Sequence, residues 1–406
     1  MSELESLLRD EWGRLLALLV AQYRRLDLAE DGLGDAFEAA ARTWPTDGVP
    51  TNPPAWLLTA ARRRVLDRLR TESVAAKKLP LLAVEADLTE EAQRTMALPG
   101  ASGEVADERL RLVLLCAHPA LAPEAAAALT LRLVLGVPTE DIARLFLVST
   151  PTMAARLTRA RKRLAGERFA VPSGSELESR VGVVADVAYL AFTAGYAPGS
   201  GADVLRADVA GEAIRLVRVL RSLLPADFPG RPDLDALLAL MLIQHSRRDA
   251  RVRDGRLVLL PEQDRRLWHP DEEAEALALL TPLVAAPSTP WLLQALIAAE
   301  HAIARRPEDT DWPRIADRYR ELEELTGSPV VRLNRAVAVA EADGPHAGLR
   351  LLEGLSLPGH RLPATRGELL ARAGDTQAAR AAYDEAIARC GNAAERERLE
   401  ERRAGL

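Results

Sequence analysis

Residues 139–164 read TEDIARLFLVSTPTMAARLTRARKRL, and the reading of the chain turns on them. Arg156, Arg159, Arg161, Lys162 and Arg163 place five cations within eight residues, although the chain as a whole carries a net charge of −6. A basic face confined to one helix of an acidic protein points to a local contact with a polyanion. Met153, Leu157, Ala160 and Leu164 recur at helical spacing and form an apolar face. Thr152, Arg156, Arg159 and Arg163 repeat that spacing on another face. Ahead of them Asp141, Ile142, Ala143, Leu145 and Phe146 read as a shorter helix, with Val148 apolar in the turn. Thr150 is the expected cap of the second helix, and Pro151 its first residue. A short helix, a turn and a basic second helix suit a major groove entered by the second helix. Ser149, Thr150, Thr152, Ala155, Arg156, Arg159 and Arg163 are the residues expected at DNA. For the arginines alone, a solvated charged face is the competing reading.

The rest of the chain is read outward from this stretch. A length of 406 residues exceeds one ordinary core, so several domains are expected. Aromatics make up only 4% and Ala, Leu, Arg and Glu dominate, which predicts an all-α protein. Cys116 and Cys390 stand far apart, which argues against a disulfide framework and fits a reducing compartment. The start, MSELESLLRDEWGRLL, carries charges through its apolar positions and is not read as a signal peptide. No apolar run has the roughly 20 residues of a membrane span, so a cytoplasmic protein without a membrane partner is expected.

Helices are expected over residues 3–43, then a break at WPTDGVPTNPPAW, where four prolines in thirteen residues oppose helix continuation. Pro53 and Pro54 suit the first turn of AWLLTAARRRVLDRLR. Residues 73–108 read as a linker. Two helices follow, parted at His118-Pro119, and VPSGS at 171–175 is a second break. Beyond it lies helical pattern. RVRDGRLVLL is either a small hairpin or a loop. LLARAGDTQAARAAYDEAIARCGN has the spacing of a tetratricopeptide-like helix pair.

The opening stretch resembles region 4 of a bacterial sigma factor of the sigma-70 family, extracytoplasmic-function group. The resemblance rests on Asp141, Ile142, Ala143, Phe146, Val148, Ser149, Thr152, Met153, Arg156, Leu157, Arg159, Ala160 and Arg161. Leu147 stands where that pattern often has glycine, so a different turn is expected there. DLAEDGLGDAFEAAARTW is similar to the region 2 helix that docks on core RNA polymerase. Trp56, Leu57, Ala60, Ala61, Arg62, Asp67 and Arg70 match the helix of region 2 that meets the minus-ten element. CAHPALAPEAAAALTLRLVLG and YLAFTAGYAPGSG resemble the class with a C-terminal tetratricopeptide-like extension.

The resemblance implies region 2 over residues 1–72, a linker over 73–108, region 4 over 109–170 and a helical regulatory extension over 176–406. It implies a promoter-specificity subunit of core RNA polymerase, regulated in cis by the extension, with promoter DNA as second partner. A protein or peptide partner is expected for the tetratricopeptide-like domain. Asn52, Trp56, Arg62, Arg63 and Arg70 are expected at the minus-ten element, where an unpaired base is held by a pocket and stacking. Asn52 reads equally well as a helix cap, and Trp44 and Trp56 as core residues. Asp31, Asp35 and Glu38 are expected to face a basic polymerase surface, on a helix that Gly32 and Gly34 weaken.

No nucleophile motif, phosphate loop or C-x-x-C occurs, and His118, His245, His269, His301, His346 and His360 have no metal-ligand spacing. Neither catalysis, a cofactor nor a metal is therefore expected. The alternative is a one-component regulator that uses the same helix-turn-helix with a helical sensor domain. It has no need of the two region 2 helices.

Overall fold

The computed structural model describes residues 3–74, 102–146, 148–164, 167, 169–196, 207–253, 256–391 and 393–406. It is all-α apart from one two-stranded hairpin among the described residues. The chain divides into two compact units, Met1–Ala194 with Asp208–Gly230, and Gly195–Ala207 with Arg231–Leu406.

The first unit opens with α1 (Glu3–Tyr23), α2 (Leu26–Asp47) and α3 (Pro53–Val74). Trp12, Leu15, Leu16 and Leu19 of α1 are buried, as their helical spacing predicts. α2 and α3 pack closely because Gly32 lets them: a Cβ there would stand 2.8 Å from Val65 Cγ2 and 3.1 Å from the Ala61 carbonyl oxygen. Gly32 is thus explained by close packing, whereas Gly34 meets nothing within 4 Å. The expected break before residue 45 is corrected, since α2 runs through Pro45 to Asp47. Pro45 lies in the last turn, where its missing N–H forfeits one bond, and Gly48 at φ +86° ends the helix with its N–H on the Trp44 carbonyl.

α4 (Ser102–Cys116), α5 (Pro123–Leu133), α6 (Thr139–Leu145) and α7 (Thr150–Leu164) follow, and α8 (Ser175–Tyr196) and α9 (Ala207–Leu223) complete the unit. Val187 of α8 packs with Ala126 and Ala127 of α5, flanked by Phe146. The extension placed at 176–406 therefore contributes its first two helices to the same compact unit as α1–α7. The expected linker lies outside the described residues from 75 to 101, and its last part belongs to α4.

The second unit comprises α10 (Arg231–Ser246), the hairpin β1 (Val252–Arg253) and β2 (Arg256–Leu257), α11 (Pro270–Leu280), α12 (Pro290–Ile303), α13 (Trp312–Thr326) and α14 (Pro329–Asp343). It ends with α15 (Pro345–Leu352), α16 (Arg361–Arg372), α17 (Thr376–Arg389) and α18 (Ala393–Ala404). The hairpin pairs Val252 with Leu257 and Arg253 with Arg256. Leu293, Ile297, Ile315, Leu322 and Ala338 form one core cluster, and Leu333, Ala336, Ala340, Leu352, Leu362 and Leu369 a second. At the α16–α17 joint Gly374 adopts φ +85° and Asp375 caps α17 by accepting the Ala378 N–H at 3.0 Å. Gly367 lies against the Tyr383 ring, where a Cβ would come within 3.2 Å.

Candidate nucleic-acid and polymerase interface

α6 and α7 form the helix-turn-helix. Met153, Leu157, Ala160 and Leu164 are all buried, while Thr152, Ala155, Arg159 and Arg163 are exposed. The four apolar residues hold α7 to the unit, so the opposite row is displayed on a rigid support. Arg156 is half-buried, with its guanidinium 5.9 Å from the centre of the Phe146 ring. Arg159 donates from Nε to the Ala155 carbonyl at 3.3 Å. The cap is Ser149 rather than Thr150: Ser149 Oγ accepts the Thr152 N–H at 3.3 Å and lies 2.8 Å from Thr152 Oγ1. Thr150 and Pro151 thereby become the first exposed residues of α7. Leu147 lies outside the described residues.

On α3, Asn52 Oδ1 accepts the Ala55 N–H at 3.2 Å and caps the helix. Trp44 is buried and Trp56 half-buried, their rings edge to face at 5.4 Å. Arg63 is exposed and Arg70 half-exposed, 3.3 Å from Asp67. Arg62 departs from its expected place. It is only 4% exposed, so its guanidinium is packed inside the unit and is not presented to phosphate. Of the carboxylates on α2, Asp31 and Asp35 both receive Arg68 of α3, at 2.6 and 3.0 Å. Glu38 is exposed.

A carboxylate that the sequence did not single out joins the two halves of this surface. Glu30 of α2 is 6% exposed. Its Oε1 accepts Arg132 Nε of α5 at 2.8 Å, and its Oε2 lies 2.5 Å from Arg161 Nη2 of α7. The Arg132 guanidinium also sits 5.4 Å from the centre of the Trp12 ring on α1. Close backbone approach supports the ion group. A Cβ on Gly13 of α1 would stand 2.2 Å from the Val134 carbonyl oxygen, just past α5. Gly136, at φ +72°, lies against the Trp12 side chain. Arg24, in the turn between α1 and α2, donates to the Phe169 carbonyl at 3.2 Å. Arg215 of α9 donates to the Leu135 carbonyl at 3.2 Å and lies 3.7 Å from Asp10 of α1. Burial, with Glu30 close by, raises the Cys116 thiol, which stays protonated.

Residues 8–74 match the family described as sigma-70 region 2, and residues 111–164 the family described as sigma-70, region 4. The chain belongs to the sigma-70 family. The two matched segments contain α2, α3 and the helix-turn-helix, so this sigma factor carries the elements for promoter recognition with core RNA polymerase and promoter DNA. Residues 180–283 match a family of unknown function (DUF6596), which begins in α8 and ends beyond α11. An uncharacterized protein of Rhizobium meliloti (strain 1021) is 41% identical over 391 residues, covering 94% of this sigma factor and 90% of that protein. No solved structure matches. Among the described residues no helix is long and apolar enough to cross a membrane.

Proposed function

We propose that this sigma factor belongs to the extracytoplasmic-function group and acts in the cytoplasm, directing core polymerase to a small set of promoters. In this reading Arg156, Arg159 and Arg163, with Ser149, Thr150, Thr152 and Ala155, read the minus-35 element. Asn52, Trp56, Arg63 and Arg70 serve the minus-ten element, and Asp31, Asp35 and Glu38 serve polymerase. The observation that carries the reading is the exposed row on α7 beside a region 2 in the same chain.

The extension regulates activity in cis. The two promoter elements lie about 25 base pairs apart, or ~85 Å of duplex at 3.4 Å per step. Regions that touch through Glu30, Arg132 and Arg161 do not reach both elements on straight DNA at once. The contact therefore opens when the holoenzyme engages a promoter. α8 on α5, and Arg215 of α9 between Asp10 and the Leu135 carbonyl, favour the closed arrangement. The acidic partner of α7 is Glu30 of α2, so the extension acts by bracing closure rather than by covering the basic helix. The second unit is tetratricopeptide-like, supported by Gly367 against Tyr383 and the Asp375 cap. Trp312, Tyr319, Asn334 and Tyr383 line a cavity of about 930 Å³, at the upper end of the roughly 300–1,000 Å³ of ligand pockets. That cavity takes the protein or peptide partner.

Run-off transcription on the gene's own upstream region, with added core polymerase, tests the reading. A transcript that needs both components is expected; tight duplex binding without polymerase, and no transcript, contradicts it. A chain stopped after Ala170 lacks the α8 and α9 brace and is expected to give more transcript than the full chain. Lost activity with α4–α7 still folded opposes inhibition in cis.

A further inference from the structure

In the second unit His360, Cys390 and Glu395 bring one donor atom each within 4.8 Å of one another. His360 Nε2 and Glu395 Oε2 are 3.1 Å apart, and the Cys390 side is buried. Each donor sits at the end of a different helix. His360 precedes α16, with its carbonyl accepting the Ala364 N–H at 2.9 Å. Cys390 closes α17, its N–H on the Ile387 carbonyl and its own carbonyl held by Arg396 at 2.5 Å. Glu395 lies in the first turn of α18. Backbone hydrogen bonds therefore fix the main chain at His360 and Cys390 before anything binds, which is part of what a metal site requires of its support.

We infer that His360, Cys390 and Glu395 form a binding site for a zinc-class divalent ion. The donor set is one sulfur, one imidazole nitrogen and one carboxylate oxygen, a mixture that suits zinc and not magnesium or calcium. Bonds of about 2.0–2.3 Å in a tetrahedron place donors roughly 3.3–3.8 Å apart. The imidazole and carboxylate stand 3.1 Å apart and need to part by only a few tenths of an ångström, and a side-chain shift of about 1 Å brings the sulfur in. On binding, the Cys390 thiol releases its proton to solvent and the thiolate takes the metal. His360 coordinates through Nε2; the proton that Nε2 shared with Glu395 passes to solvent, and Nδ1 carries the ring's proton. Glu395 exchanges its imidazole contact for the metal, and a water fills the fourth position. Thiolate and carboxylate together neutralise the ion's charge. The bound ion ties the joint of α16, α17 and α18. It thereby fixes α18, whose Arg402 meets Glu368 of α16 at 2.7 Å and whose Arg398 and Arg402 line the cavity of this unit.

The test is a titration of the untagged full-length chain with Co²⁺, read by the thiolate-to-cobalt charge-transfer band, followed by displacement with Zn²⁺. One equivalent of Co²⁺ is expected to give the band, and one of Zn²⁺ to remove it. Cys390→Ser is expected to abolish the band, and Cys116→Ser to leave it intact. His360→Gln should weaken zinc binding by at least the ~10–100-fold that even an outer-shell loss costs. It supplies the same answer should Cys390→Ser fail to fold. No charge-transfer band in the wild-type chain, a band retained in Cys390→Ser, or unchanged zinc affinity in His360→Gln overturns the site.

Discussion

Arg161 of α7, the second helix of the helix-turn-helix, places Nη2 2.5 Å from Oε2 of Glu30 on α2 of region 2. One buried carboxylate thus couples the two regions, since Arg132 occupies its other oxygen. Glu30→Gln keeps the shape and removes the charge, leaving two guanidinium groups facing a neutral amide. Breaking a fully buried pair costs about 3–5 kcal/mol, but both arginines are 25% exposed, so a loss of roughly 1–3 kcal/mol is expected. Denaturant unfolding of wild type and variant measures it. An unchanged midpoint and slope would show that the group does not hold the regions together.

Arg159→Ala removes an exposed side chain whose hydrogen bond stays within α7, so its stability should hardly change. Promoter affinity at the minus-35 element should fall by about 1–3 kcal/mol. Arg156→Ala should weaken binding similarly and also lose the contact with Phe146. Transcription by the double variant at the wild-type level would remove this face from the interface.

Glu38 offers a cleaner probe of polymerase docking than Asp31 or Asp35, because Arg68 holds both of those. Charge reversal at Asp35 also disturbs the packing of α2 on α3, whereas Glu38→Arg changes an exposed position. Competition for core polymerase should show weakened assembly for Glu38→Arg, with unfolding unchanged. Equal affinity would place the docking contact elsewhere.

Burial first, then Arg247 and Arg265, pushes His301 down to about 4. Its folded value lies below the unfolded one near 6.5, so the neutral ring's contribution is fully present above about pH 6.5 and is lost as pH falls towards 4. The full effect is at most about 3 kcal/mol. Wild type should lose more stability than His301→Gln between pH 7 and pH 4.5, measured by denaturant unfolding. Parallel pH profiles would show that His301 is not held neutral.

What was legible in the sequence was what repeats locally. The period of Met153, Leu157, Ala160 and Leu164 gave the buried side of α7, and with it the exposed arginines. The cap moved by one residue because Ser149 and Thr150 carry the same hydroxyl chemistry, and only the turn geometry chooses between them. Gly32 looked like a weakness of α2 until Val65 and Ala61 of α3 supplied its reason. Arg62 looked like its neighbours Arg63 and Arg64, although the helix turns it inward. Glu30 was silent because Arg132 lies 102 positions away in sequence. His360, Cys390 and Glu395 were likewise silent, since no short spacing links three helix ends.

The most direct measurement is a distance between region 2 and region 4 in the free chain and in the holoenzyme. Arg42 on α2 and Ala154 on α7 are exposed and can be changed to cysteine for spin labels, while the native Cys116 and Cys390 are buried. A single short distance is expected in the free chain. Binding to core polymerase should replace it with one several tens of ångströms longer, as two elements ~85 Å apart require. Glu30→Gln should populate the longer distance before polymerase is added. A chain that does not bind core, or one that binds with the distance unchanged, would contradict a sigma factor held closed in its free state.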